Sequence, residues 1–137
     1  MLKQIYIRNI LLIDSIELDF DKGFSVFTGE TGAGKSIILN SIKFLTGEKI
    51  GFNLLRNKEE NGFVIGVFDV SKNKVILGLL DIHEIKLDDF LNIKRVLKND
   101  GKVKNFINDI PVSTNLIKQI GQNLIEIQSQ SEQIELR

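Results

Sequence analysis

Residues 27–42 read FTGETGAGKSIILNSI, with glycines at 29, 32 and 34 directly ahead of Lys35, Ser36 and an apolar run. Each glycine inside a helix costs roughly 1 kcal/mol relative to alanine. So dense a cluster therefore predicts a tightly curled loop, with a helix over 35–46 behind it. Ile38, Ile42 and Leu45 share one face of that helix, and Gly47 is placed to cap its end. The run FSVFT at 24–28 predicts a short buried strand ahead of the loop. Strand, glycine loop and helix in that order describe a cradle for an anion.

Gly29, Glu30, Thr31, Gly32, Ala33, Gly34, Lys35 and Ser36 fit the phosphate-loop pattern G-x-x-x-x-G-K-[ST]. A triphosphate needs many donors, and successive backbone N–H groups supply them when the chain wraps the anion. The glycines permit the curl and keep side chains away from the phosphates. The helix N-terminus behind the loop adds partial positive charge. Lys35 is expected to bridge the β- and γ-phosphates of ATP, and the Ser36 hydroxyl to ligate Mg²⁺. A glycine-rich turn that matches by accident is the bland alternative; the flanking strand and helix weigh against it.

The 137 residues suit a single domain, and a 42% hydrophobic content supplies a core. Eighteen basic residues balance 18 acidic ones, so the whole chain is no broad nucleic-acid footprint, although a local basic patch remains open. Without cysteine there are no disulfides or thiolate metal sites. Lys3, Arg8 and Asp14 interrupt the apolar N-terminus, which has neither the layout of a secretory signal nor the length of a membrane span. A cytoplasmic protein with no membrane partner is the expectation.

Strands are predicted at 2–8, 11–20 and 62–70, the second showing alternation of Ile16, Leu18 and Phe20 with polar residues. Residues 47–61 read as polar and irregular, and 74–90 as partly helical. Residues 93–107 predict a hairpin about Asp100-Gly101, with another turn at Asn108-Asp109 before Pro111. Ser113 is placed to cap a helix closed by Gly121, and NLIEIQ reads as a strand leading to the polar run SQSEQ. No repeat or linker divides the chain.

The stretch IRNILLIDSIELDFDKGFSVFTGETGAGKSIILNSI resembles the N-terminal part of the RecN family of DNA repair proteins, relatives of the SMC proteins and ABC ATPases. FINDIPVSTNLIKQIGQNLIEIQSQSEQ resembles the family segment that ends in the Q-loop. The resemblance is weakest over 72–92. It implies an α/β fold: a phosphate-loop NTPase head of ABC/SMC type, N-terminal lobe only, with a mixed sheet around the phosphate-loop helix. It also implies that Gln130 is the Q-loop glutamine contacting Mg²⁺ and the attacking water. Here the family's His-Gly-Gln-His run is replaced by Gln128, Ser129, Gln130 and Ser131, which leaves Gln128 as the competitor.

In such split heads the signature motif, Walker B and its glutamate lie in a C-terminal half beyond a coiled coil. The expectation is therefore that 1–137 form the N-terminal lobe, ending just past the Q-loop where the coiled coil would begin, with no catalytic residue of its own. FVIGVFDV ends in Asp69 and VILGLLDI in Asp81, but Val70 and Ile82 follow where a glutamate is required. The implied partners are a C-terminal half, as a separate chain or lost, and a second head that sandwiches ATP. DNA would be engaged indirectly or through the basic hairpin 94–104, with Lys94, Arg95, Lys98, Lys102 and Lys104 against Asp100. A solvated hairpin is the plainer reading. Arg56 lies where related heads carry a nucleotide-reaching arginine. His83, the sole histidine, reads as a surface residue.

The implied role is recombinational repair of double-strand breaks, in the cytoplasm and possible at the nucleoid, with ATP-driven head engagement controlling how DNA is held. Three alternatives stand beside it. One is a truncated or split-gene remnant without activity. Another is a different phosphate-loop protein of the SMC class. The third, a nucleotide kinase, would need a Walker B or substrate lid that the sequence does not display.

Overall fold

A computed structural model describes residues 1–20, 32–48, 54–128 and 133–136. Six strands form one open sheet: β1 (Leu2–Ile10), β2 (Ile13–Asp19), β3 (Gly62–Phe68), β4 (Leu91–Leu97), β5 (Val103–Ile107) and β6 (Ile110–Val112). Their spatial order is β2-β1-β3-β4-β5-β6, and every pairing is antiparallel. The strand expected at 24–28 lies outside the described residues. Helix α1 (Gly32–Leu45) packs on β3 and β4, helices α2 (Lys74–Ile82) and α3 (Thr114–Leu124) pack together, and β7 (Ile125–Gln128) pairs with β8 (Gln133–Leu136).

Alternation decides which sheet face is buried. Along β3, Val64 and Phe68 are fully buried while the alternating Phe63, Ile65 and Val67 are half-buried. Ile5 and Ile7 of β1, Leu91 and Ile93 of β4 and Ile107 of β5 join the buried face. The α1 stripe Ile38, Ile42 and Leu45 covers it. Contact is closest at Gly66, where an added Cβ would fall 2.4 Å from a Leu45 methyl.

The turns follow their residues. Gly101 takes φ +91°, and its N–H donates to the Lys98 carbonyl at 2.9 Å. The β4–β5 connection is thus a turn followed by a left-handed glycine, one residue longer than the two-residue hairpin Asp100-Gly101 suggested. Asn108 and Asp109 both have positive φ, 49° and 68°, as a tight two-residue hairpin demands. Gly47, at φ +97°, ends α1: its N–H reaches the Phe44 carbonyl and that of Glu48 reaches Lys43, the paired bonds of a Schellman cap.

Strand ends shift by one or two residues from the sequence reading, and two helix boundaries shift around glycines. α1 begins at Gly32 rather than Lys35, so two loop glycines lie in its first turn. α3 runs through Gly121 to Leu124, shortening the following strand to Ile125–Gln128. Gly121 is a contact point there, not a terminator: a Cβ on it would lie 2.4 Å from the Thr46 carbonyl oxygen. Ser113 does cap α3, its Oγ accepting the Leu116 N–H at 3.2 Å.

Candidate functional site

The site begins at the N-terminus of α1. Gly32, Ala33, Gly34 and Lys35 form its first turn, with Ser36 next and exposed to solvent. That turn holds no acidic residue, and Lys43 sits in the last turn. Amides of a first helical turn lack intrahelical acceptors, and the aligned peptide dipoles make that end partially positive. The turn is thus suited to an anion, and the Ser36 hydroxyl to a cation held beside it. Gly29, Glu30, Thr31 and Gln130 lie outside the described residues, as do Ser129 and Ser131; Gln128 closes β7.

Among the described residues no cluster of three or more histidines or carboxylates is arranged to hold a metal. Asp81 lies in the last turn of α2, exposed. Asp69 follows β3, and its carboxylate accepts the Ser71 N–H at 3.0 Å, which holds it below the usual carboxylate range. His83 caps α2 from an exposed position, with Nδ1 2.9 Å from the Leu79 carbonyl. Arg56 is half exposed and 3.7 Å from the Asp14 carboxylate.

The basic hairpin divides. Lys98, Lys102 and Lys104 are outward-facing or at its tip, and Lys94 lies over the rings of Phe63 and Phe106 at 5.5 and 5.9 Å. Arg95 does not belong with them. Its side of β4 faces the core, leaving it 4% exposed. Its Nη1 donates to the Phe44 carbonyl at 2.6 Å, its Nε donates to Asn105 Oδ1 at 2.7 Å, and its guanidinium stacks 4.6 Å from the Phe44 ring centre. Burial lowers this guanidinium to about 10, which still leaves it charged at neutral pH. A cation among the last carbonyls of a helix is favourable by about 0.3–1 kcal/mol, up to ~2 where partly buried. Period two alone could have flagged Arg95, since it shares parity with Leu91 and Ile93.

Asn9 also escaped the sequence reading. It is 2% exposed at φ +54°, and its side chain binds the 57–61 segment. Oδ1 accepts the Asn57 N–H at 2.6 Å, while Nδ2 faces the carbonyls of Asn57, Glu60 and Asn61 at 2.9, 3.1 and 3.3 Å. The Asn9 carbonyl accepts the Arg56 N–H at 3.3 Å. The "irregular" 47–61 segment thus carries buried Leu54 and Leu55, and Leu55 bridges to Ile10.

A family profile described as "AAA domain" matches residues 4–136. The chain belongs to the AAA domain family. Over 136 residues this AAA domain is 37% identical to the DNA repair protein RecN of Rickettsia prowazekii, a match covering 99% of the chain and 24% of that protein. It spans about a quarter of the length of the curated relatives it matches. Its fold is that of an SMC ATPase head. A structure from work on ATP-driven dimerization and DNA-stimulated activation of SMC ATPases superimposes with TM-score 0.65 at 18% identity, covering 89% of this chain and 78% of that one. The SMC head domain from Thermotoga maritima gives 0.55 at 21% identity, over 87% and 41%. The resemblance to the RecN and SMC class read from the glycine loop therefore holds for the AAA domain as a whole. No described helix is long and apolar enough to cross a membrane.

Proposed function

We propose that this chain is the Mg²⁺–ATP-binding lobe of a RecN-like DNA repair ATPase. The supporting observation is the phosphate-loop sequence Gly29–Ser36 running into an acid-free helix N-terminus, within a fold shared with SMC heads. In this reading Gly29–Gly34 wrap the phosphates, Lys35 neutralises charge between them, and Ser36 holds Mg²⁺. Gln130 is the second contact to the metal and its water. ATP then joins two heads, the phosphate loop of one meeting the signature loop of the other, so nucleotide regulates association by mass action. The signature and Walker B come from a C-terminal half, in the same or another polypeptide. Lys94, Lys98, Lys102 and Lys104 are the DNA-backbone candidates, without Arg95. A cytoplasmic protein acting at the nucleoid follows from that role.

Lys35→Ala is expected to weaken Mg²⁺–ATP binding at least tenfold, about 1.4 kcal/mol, by removing the one side-chain cation of the loop. Titration calorimetry of both proteins measures this, and equal affinities would reject the site. ATP turnover by the chain alone is expected to be negligible. Lys35, Ser36 and Mg²⁺ can offset γ-phosphate charge, but in this reading the carboxylate that deprotonates the water and the opposed signature loop both come from outside residues 1–137. Adding a separately produced C-terminal half should restore phosphate release. Turnover of ~1–100 s⁻¹ without it, abolished by Lys35→Ala, would contradict the split-head reading.

A further inference from the structure

The buried guanidinium of Arg95 sits at the far end of the helix whose first turn carries the phosphate loop. Its described hydrogen-bond partners are neutral oxygens, one on the last turn of α1 and one on β5. Burying a cation without an acid is costly unless its donors are met. Here the geometry extends further. Asn105, itself buried, passes the contact on: its Nδ2 donates to Thr114 Oγ1, at the first residue of α3, at 2.9 Å. A continuous chain of hydrogen bonds thus runs from the Phe44 carbonyl through Arg95 and Asn105 to Thr114.

The turn that closes α1 also meets α3 directly. A Cβ on Gly121 would lie 2.4 Å from the Thr46 carbonyl oxygen, and one on Gly47 would lie 2.6 Å from Lys118 Cγ and 3.2 Å from its Cα. The end of α1 is therefore seated on α3 at mid-helix by close backbone approach and tied to its start by the Arg95 chain. α3 passes without a break into β7, which ends at Gln128.

We infer that Arg95 is a positioning residue that fixes the end of α1 against α3, so that a change at the first turn of α1 is transmitted along α3 into β7. This rests on the nucleotide-binding reading above. A rigid helix moves as a unit. If phosphate binding shifts α1 along its axis, the Phe44 carbonyl moves, and the fork of Arg95 passes that displacement to Asn105 and the first turn of α3. Lysine cannot substitute, having no planar fork to hold both oxygens at once.

Hydrogen exchange on the full chain, with and without Mg²⁺–ATP, tests this. In the parent, nucleotide should slow exchange in the first turn of α1 and also over 114–128. In Arg95→Met the first-turn effect should persist at saturating nucleotide, while the effect over 114–128 falls at least fivefold. Thr114→Val, an exposed change that cuts only the last link, should act in the same direction and decides the matter if Arg95→Met does not fold. Parental transmission in the folded variants would overturn the inference. If the parent shows no ATP effect even at α1, the nucleotide reading is what fails. The nucleotide-free comparison then decides: Arg95→Met should speed exchange at 43–46 and 114–117 together, leaving β1 and β3 as in the parent. Acceleration limited to 43–46, or spread over the whole chain, would refute the link.

Discussion

Replacing Asn9 by alanine is expected to destabilise the fold by about 3–4 kcal/mol, from roughly 1 kcal/mol for each well-made side-chain hydrogen bond lost and a further ~1 kcal/mol for a left-handed residue without an amide side chain. Four backbone groups of residues 57–61 depend on that side chain. The effect should spread beyond β1. Asn61 Oδ1 accepts the Asn99 N–H at 2.8 Å, and Asn99 Nδ2 donates to the Glu59 carbonyl at 3.1 Å, so the 57–61 segment also holds the β4–β5 tip. Urea unfolding gives the magnitude, and hydrogen exchange at 56–61 and 98–101 gives its reach. A loss below ~1 kcal/mol would mean that solvent replaces the amide without penalty.

Gly121→Val should cost about 3 kcal/mol or more, at the top of the usual range for overpacking. Its Cβ would fall 2.4 Å from the Thr46 carbonyl oxygen and 2.7 Å from the Thr46 Cβ, so α3 and the end of α1 must separate. Gly121→Ala separates two effects. Alanine gains up to ~1 kcal/mol of helix propensity over glycine, but the clash involves backbone and should outweigh it. Gly78 is the internal control: it lies in α2 with open space where a Cβ would stand, so Gly78→Ala should stabilise by about 0.5–1 kcal/mol. Thermal or urea midpoints that rise for both alanine variants would show that α3 yields at Gly121 without cost.

Local chemistry was legible in the sequence where one residue decides one feature. Gly47, Gly101, Asn108-Asp109 and Ser113 each announced a turn or cap that the backbone then adopts. The apolar run 62–70 announced a strand, which the backbone adopts over Gly62–Phe68. What stayed hidden depends on residues far apart in the chain. Gly121 reads as a helix terminator until Thr46 is seen against it. Arg95 reads as one of several hairpin cations until β4 is laid beneath α1. Asn9 reads as an ordinary strand residue until 57–61 are folded around it. The phosphate-loop candidate was legible from local sequence because its pattern is eight consecutive residues, Gly29–Ser36, of which Gly29, Glu30 and Thr31 lie outside the described residues.

The strand order has a consequence for synthesis. β1 lies between β2, its neighbour in sequence, and β3, with Leu2 paired to Phe68. As the chain emerges from the ribosome, β1 and β2 can form only an isolated hairpin, which is marginal in water. The phosphate-loop segment and α1 follow before β3 arrives to close the sheet. At about 5–20 residues per second, β1 waits several seconds for its second partner, and closing so long a loop adds an entropic barrier. During that interval the apolar face of α1 has no sheet to cover it. The nascent α1 segment is therefore a natural client for chaperones until Phe68 clears the exit tunnel, and pausing of translation within residues 20–61 would lengthen that exposure.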